Sequence, residues 1–129
     1  MRIGELAATT GTTTKTLRFY EAAGLLPPPQ RTSAGYRTYD PAVTERLDFI
    51  QRSQRAGLTL AQIREVLAIR DGGNAPCSHV QHLLGDRLAD LDRQLADLTA
   101  LRATVAALLD QADTVAPDAC PPATVCRYL

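Results

Sequence analysis

Three cysteines are the residues of this 129-residue chain whose type and spacing could bind a metal ion. Cys120 and Cys126 flank Pro121-Pro122, which prevents a continuous helix between them, so the segment is a loop that can fold both sulfurs inward. Two converging thiolates could hold a metal ion at about 2.3 Å. Two other interpretations stay open: cysteines buried as small hydrophobic side chains, or a Cys120–Cys126 disulfide that responds to redox state.

Charged side chains are divided unequally along the chain, although its formal net charge is zero. Residues 1–70 carry ten basic and six acidic side chains, whereas residues 71–129 carry four basic and eight acidic ones. The net charges of the two parts are therefore +4 and −4. Such an asymmetry indicates that the first part faces a polyanion, the alternative being two ordinary solvated faces.

The composition is that of an ordinary globular chain, with 45% hydrophobic and 22% charged residues. No apolar run approaches the roughly 18–20 residues of a membrane helix, and the N-terminus lacks the pattern of a secretion signal. Because three cysteines cannot form a fully paired disulfide framework, we expect a reducing, cytoplasmic compartment. The lack of a membrane-helix run leads us to expect no membrane partner.

Two short helices joined by a tight turn are predicted at the N-terminus. An apolar face ends at Gly11, and Thr12 or Thr13 can cap a second helix over about residues 14–23, which is the skeleton of a helix-turn-helix. The side chains on or beside the exposed face of this second helix are Thr14, Lys15, Arg18 and Tyr20. Arginine at such a position can reach a guanine edge or a phosphate, and lysine and threonine suit phosphates.

A two-stranded wing is predicted around Gly35, where tyrosine and arginine alternate in Gly35-Tyr36-Arg37-Thr38-Tyr39. Asp40 before Pro41 is typical of a helix start, with Asp40 as the N-cap and Pro41 as the first helical residue. Apolar residues at helical spacing follow, and Gly57 and Thr59 separate that helix from the next one.

These first 70 residues resemble the MerR family of bacterial transcription regulators. The motifs that carry the resemblance are collinear: IGELA at 3–7, TLRFYE at 16–21, GLLP at 24–27, GYRTY at 35–39, LDFI at 47–50 and GLTLAQI at 57–63. The resemblance implies an all-α fold with a small β wing, a winged helix-turn-helix head, promoter DNA and RNA polymerase as partners, and no enzymatic activity. It also implies that Lys15, Arg18, Tyr20, Tyr36 and Arg37 face DNA. Tyr20 or Tyr39 could instead be packing aromatics, and we expect Leu17 and Phe19 in the core.

A long helix without proline is predicted over residues 77–112. Its apolar residues follow alternating steps of four and three: Leu84, Leu88, Leu91, Leu95, Leu98, Val105 and Leu109. This spacing predicts a coiled coil and hence a homodimer, the alternative being packing on the head of the same chain. Family members are similar, with an antiparallel coiled coil across the dimer. The predicted domains are a DNA-binding head at 1–70, a linker at 71–76, the dimerisation helix at 77–112, and a metal-binding loop and tail at 113–129.

The family resemblance also gives the cysteines a role. In its metal-sensing members, a cysteine at the start of the dimer helix joins two that flank a C-terminal loop of the other subunit. Cys77, Cys120 and Cys126 match those positions. Cysteine at the first position resembles the divalent-ion sensors and implies Hg(II), Cd(II), Pb(II), Zn(II) or Co(II) as effector, whereas copper(I)-type sensors have serine there. His79 and His82 could complete a tetrahedral zinc site, the alternative being solvated histidines.

Three other functions are conceivable for the same chain. A redox or electrophile sensor would use Cys120 and Cys126 as a switchable thiol pair. A multidrug-type regulator is disfavoured because no sizeable ligand domain follows the coil. A metal-dependent hydrolase is disfavoured because no charged base lies beside the cysteines, and a three-sulfur site would leave a metal little Lewis acidity.

Overall fold

Five α-helices and a small antiparallel sheet make up the fold, which a computed structural model describes for every residue from Met1 to Leu129. In chain order the elements are α1 Ile3–Thr10, α2 Thr14–Ala22, β1 Gln30–Arg31, β2 Arg37–Thr38, α3 Val43–Arg55, α4 Leu60–Asp71, α5 Cys77–Asp113 and a 3-10 turn at Pro117–Ala119. The predicted all-α fold with a small β wing is confirmed. The chain divides into two compact units, Met1–Arg87 and Leu88–Leu129. No helix combines the length and the apolarity needed to cross a membrane.

The turn between α1 and α2 is built by two residues that the sequence marks clearly. Gly11 adopts a left-handed conformation with φ of 66°, which ends α1 and which glycine reaches at little cost. Thr13 then caps α2, because its hydroxyl oxygen accepts a hydrogen bond from the backbone N–H of Thr16 at 3.1 Å. The two helices therefore form the predicted helix-turn-helix.

The core of the first unit lies among the four short helices. Each contributes side chains with almost no exposed surface: Leu6, Leu17, Leu47, Ile50, Ile63, Val66 and Leu67. Leu83 of α5 is also buried in this cluster, and Val80 packs against it. Burying one such side chain stabilises the fold by about 1.5–3 kcal/mol, so the start of α5 is held firmly against the head.

Two local predictions are wrong. Phe19 is 53% exposed rather than buried, because Leu17 and Tyr20, three residues apart, form the inner face of α2 and leave Phe19 outside it. The third helix begins at Val43 and not at Pro41. Asp40 instead caps the turn before it, where its Oδ1 accepts a hydrogen bond from the backbone N–H of Ala42 at 2.9 Å.

The wing is a short hairpin in which Gln30 pairs with Thr38, and Arg31 pairs with Arg37. Gly35 has φ of 85°, which allows the tight turn at its tip. The wing is also tied to the N-terminus, since Arg2 forms an isolated antiparallel bridge with Thr38. This bridge brings the residue before α1 next to the wing.

Candidate nucleic-acid interface and metal-binding residues

The exposed face of α2 carries three of the residues predicted to contact DNA. Lys15 and Arg18 are exposed, and Thr14 is half-buried at the first position of the helix. None of the ion pairs in the chain involves Lys15 or Arg18, so both charges are free to meet an anion. Cations and hydroxyls on one helix face are the groups that contact phosphates and base edges in protein–DNA interfaces.

A hollow of about 270 Å³ lies between α2, the residues before α1 and the wing. Its lining includes four arginines and one tyrosine: Arg2, Arg18, Arg31, Arg37 and Tyr36. The concentration of guanidinium groups gives this surface a positive potential suited to a phosphate backbone. We call this surface the basic hollow. It brings together the predicted residues Arg18, Tyr36 and Arg37.

Arg2 and Arg31 belong to the basic hollow but were not predicted from the sequence. Arg2 places its guanidinium carbon 4.6 Å from the centroid of the Tyr36 ring, a cation–π contact that orients the exposed tyrosine. Arg31 donates a hydrogen bond from Nη1 to the backbone oxygen of Gly35 at 2.9 Å. Both lie outside the helix-turn-helix pattern, and only the wing register and the Arg2–Thr38 bridge reveal where they are.

The wing is joined to α2 through the carboxylate of Glu21. Its Oε2 lies 3.4 Å from Nη1 of Arg37, and its Oε1 accepts a hydrogen bond from the hydroxyl of Tyr39. Burial and the neighbouring Glu21 raise the pKa of Tyr39 to about 12. Because Glu21 is largely enclosed, these contacts hold the wing against α2.

The predicted exposure of Tyr20 is wrong. The residue is only 6% exposed, and its hydroxyl donates a hydrogen bond to Oε1 of Gln54 on α3 at 2.7 Å. Its ring completes the inner face of α2 begun by Leu17, three residues earlier. Tyr20 therefore acts as a packing aromatic that attaches α2, which carries Lys15 and Arg18, to α3.

The three cysteines are all free thiols at two places in the chain. Cys77 is exposed as the first residue of α5, Cys120 follows the 3-10 turn, and Cys126 is exposed near the C-terminus. A hydrogen bond from the Arg127 backbone, and then one from the hydroxyl of Thr124, hold the pKa of Cys120 below its usual value. Such a shift raises the share of the thiolate, which is the form that binds metals.

The tail around the cysteines has contacts of its own. The hydroxyl of Tyr128 donates a hydrogen bond to the backbone oxygen of Val115 at 2.7 Å, and Arg127 donates one to the oxygen of Ala119 at 3.3 Å. These contacts fold the last residues back toward the end of α5, so Cys126 lies within a closed loop and not on an extended strand.

The predicted metal ligands do not assemble within one chain, where no group of three or more histidine, cysteine, aspartate or glutamate side chains could hold a metal ion. His79 places Nε2 3.4 Å from a carboxylate oxygen of Glu65 on α4, shielded from solvent and without a hydrogen bond. His82 is exposed, with Nε2 3.3 Å from Oδ2 of Asp86.

The predicted apolar stripe of α5 is exposed in the single chain. Its seven members have between 37% and 63% of their surface accessible: Leu84, Leu88, Leu91, Leu95, Leu98, Val105 and Leu109. A contiguous apolar face of this length is typical of an interaction surface. The stripe continues beyond Leu83, which is the last residue of the helix that the core buries.

Comparison with known proteins gives family matches over most of the chain. The model described as "MerR HTH family regulatory protein" matches residues 1–68, and that described as "MerR, DNA binding" matches residues 44–108. The mercuric resistance operon regulatory protein of Bacillus cereus is 40% identical over 97 residues, covering 75% of this chain and 74% of that protein.

Two solved structures are similar to this chain over nearly its whole length. The transcription regulator PbrR691 from Ralstonia metallidurans CH34, in complex with lead(II), superposes with a TM-score of 0.77 at 34% identity, covering 100% of this chain and 96% of that one. The regulator MerR from Bacillus megaterium MB1, in complex with mercury(II), gives a TM-score of 0.66 at 28% identity and covers 98% and 92%. The similarity therefore extends through the long helix and the tail.

Proposed function

Because the chain belongs to the MerR family of transcription regulators, we propose that it works as a homodimer that binds promoter DNA and senses a thiophilic divalent metal ion. Its sensor consists of Cys77 of one subunit with Cys120 and Cys126 of the partner subunit. Proteins of this family are regulators, and the chain is accordingly not an enzyme. The observation that carries the proposal is the position of three free thiols at the start of the dimer helix and beyond its end.

The DNA-binding part of the proposal rests on α2 and the basic hollow. Lys15 and Arg18 enter the major groove with the recognition helix, while Tyr36 and Arg37 meet the adjoining backbone from the wing. Arg2 and Arg31 add charge to the same surface. Each phosphate that such a residue neutralises adds about −0.9 to the slope of the logarithm of affinity against the logarithm of salt concentration.

The dimer part rests on the exposed stripe of α5. In an antiparallel coiled coil, two copies of the stripe bury each other, and the start of each α5 lies near the end of the partner's α5. This arrangement brings Cys77 to the loop that holds Cys120 and Cys126 of the partner subunit.

The donor set determines which ions fit. Three thiolates make a soft site that suits Hg(II), Cd(II), Pb(II) or Zn(II), and is poor for Mg²⁺ or Ca²⁺. The regulators that are similar in structure were solved with lead(II) and mercury(II), which agrees with a soft site. Cys77 at the first position favours a divalent ion over Cu(I), by the family pattern.

The bound ion would act by favouring one arrangement of the two heads. Distorting promoter DNA so that RNA polymerase can transcribe a metal-resistance or efflux gene costs on the order of several kcal/mol. A metal can drive that change only if it binds the activating arrangement more tightly than the other. Its charge neutralises the thiolates at the dimer interface, which would stabilise that arrangement.

The test is a titration of the wild type and of Cys77→Ser, Cys120→Ser and Cys126→Ser. Operator binding and in vitro transcription are followed at buffered free Hg(II), Cd(II), Pb(II), Zn(II), Co(II) and Cu(I), with Arg93→Ala, an exposed residue of α5, as the control variant. We expect each serine variant to bind the operator as the wild type does, yet to lose induction, and Arg93→Ala to keep it.

Three outcomes would contradict parts of this proposal. Normal induction in all three serine variants would end the thiol-site interpretation. A preference of the wild type for Cu(I) would overturn the argument from Cys77. Induction by a mild thiol oxidant in chelated, metal-free buffer would favour the alternative, a redox or electrophile sensor that uses Cys120 and Cys126.

A further inference from the structure

One side chain of the long helix reaches the end of α3. Nε of Arg87 on α5 donates a hydrogen bond to the backbone oxygen of Ala56 at 3.1 Å. Ala56 is the residue that follows α3, at the end of a helix where carbonyl groups lack partners within the helix. A cation at this end is also favoured by the helix dipole, so Arg87 caps α3 from another helix.

The space for this contact depends on the next residue, Gly57. Its φ is 85°, a conformation that other residues adopt at a cost. A Cβ atom on Gly57 would lie 2.5 Å from Nε of Arg87 and 2.7 Å from its Cζ. The glycine therefore both turns the chain between α3 and α4 and leaves room for the guanidinium.

The same end of α3 holds both helices of the helix-turn-helix. Oε1 of Gln54 accepts the hydrogen bond from the hydroxyl of Tyr20 on α2 at 2.7 Å. Nε2 of Gln51 donates to the backbone oxygen of Thr10 at the end of α1, at 3.1 Å. Within the segment 51–56, the side chain of Gln51 thus contacts α1, that of Gln54 contacts α2, and the backbone oxygen of Ala56 contacts α5.

We propose that Arg87 is a positioning residue that couples the dimer helix to the recognition helix through the end of α3. The route is continuous: Arg87, the Ala56 carbonyl, the last turns of α3, Gln54 and Tyr20. A rotation or shift of α5 pulls on the end of α3 and changes the angle at which α2 meets DNA. As a relay of the metal signal, this role rests on the proposed function.

The test compares Arg87→Ala with Arg87→Lys, and with Arg93→Ala as the matched control. Arg93 lies on the same helix, is exposed and pairs only with Asp90. We expect Arg87→Ala to keep its helical circular dichroism, its bound metal per dimer and its operator affinity within about twofold, since Arg87 does not line the basic hollow. Its ratio of metal-induced to basal transcription should fall by about threefold to tenfold. Arg87→Lys should recover at least half of that loss, because one donor is enough for the Ala56 oxygen.

A ratio for Arg87→Ala that equals that of Arg93→Ala would overturn the role of Arg87. If the wild type shows no response to any metal, the proposed function fails, and a metal-free measurement decides the coupling instead. In that measurement, the equilibrium constant of unfolding is determined by denaturant titration at fixed protein concentration for Arg87→Ala, Gln54→Ala and the double variant. A change of about threefold or more from additivity supports the coupling, whereas additive effects overturn it.

Discussion

Replacing Tyr20 by phenylalanine removes one hydroxyl and tests whether this residue holds the recognition helix or contacts DNA. The hydroxyl is the donor of the 2.7 Å bond to Gln54, and the residue is only 6% exposed. A hydrogen bond of this kind contributes about 0.5–1.5 kcal/mol, and the ring stays in place in the variant. We therefore expect the free energy of unfolding to fall by about 1 kcal/mol.

That loss corresponds to a Tm lower by about 4–8 °C for a domain of the size of the first unit. The assay is thermal unfolding by circular dichroism at fixed protein concentration, followed by operator binding at a temperature where the variant is fully folded. Operator affinity should stay within about twofold of the wild type, because the Tyr20 hydroxyl already has an internal partner.

The matched control is Tyr36→Phe. Tyr36 is 55% exposed in the basic hollow, so its hydroxyl is free to meet DNA. Its loss should change Tm by less than about 2 °C but weaken operator binding severalfold. The reasoning is refuted if Tyr20→Phe leaves Tm unchanged and weakens operator binding by about fivefold or more, the pattern expected for Tyr36.

Three further outcomes follow from the structure. Leu95 lies in the middle of the stripe and is 62% exposed in one chain. Leu95→Lys would place a charge in the proposed coiled coil and should weaken dimerisation about 100-fold or more in sedimentation equilibrium, whereas an unchanged mass would contradict the coiled coil. The hydrogen bond from Arg46 lowers the pKa of Asp71, so its stabilisation is present above about pH 4 and is lost as pH falls further. The free energy of unfolding should therefore fall less steeply below about pH 4 in Asp71→Asn than in the wild type, by a difference of less than about 1 kcal/mol, since the carboxylate is half exposed. The same fall in both proteins would contradict this. The raised pKa of Tyr39 gives stabilisation that is complete below about pH 10 and is lost as pH rises through about 12. In Tyr39→Phe, the free energy of unfolding should no longer show this decrease at high pH. A variant with the same decrease as the wild type would count against the Glu21 contact.

The local elements of the head could be predicted because each is marked by residues with one strong preference. Gly11 ends α1, Thr13 caps α2, and Gly35 forms the tip of the wing. The choice between neighbouring aromatics could not be predicted in this way. Leu17 and Tyr20 together form the inner face of α2 and leave Phe19 outside it, and the partner that the buried tyrosine hydroxyl needs is Gln54, 34 residues later in the chain.

The candidate sites were predictable in part for a similar reason. Arg18 is predicted as a DNA contact from its place on a helix face, whereas Arg2 and Arg31 join it only through strand register and a bridge to the N-terminus. Cys77, Cys120 and Cys126 are predicted as metal ligands from their type and position, but no group of three or more candidate ligands lies together in the single chain. A site shared by two subunits depends on dimer geometry, which no spacing within one chain determines.

The proposed thiol site shared by two subunits is tested most directly by a mixed dimer. One subunit carries Cys77→Ser and the other carries Cys120→Ser with Cys126→Ser, each with its own affinity tag, so that tandem purification isolates the mixed species. In the proposed arrangement, this dimer has one complete three-thiol site and one site without thiols, while neither parent dimer has a complete site. Equilibrium dialysis over a range of buffered free concentrations of the inducing ion should show one ion per mixed dimer, bound more tightly than any ion bound by either parent. A mixed dimer that binds the ion no more tightly than its parents would contradict the shared site.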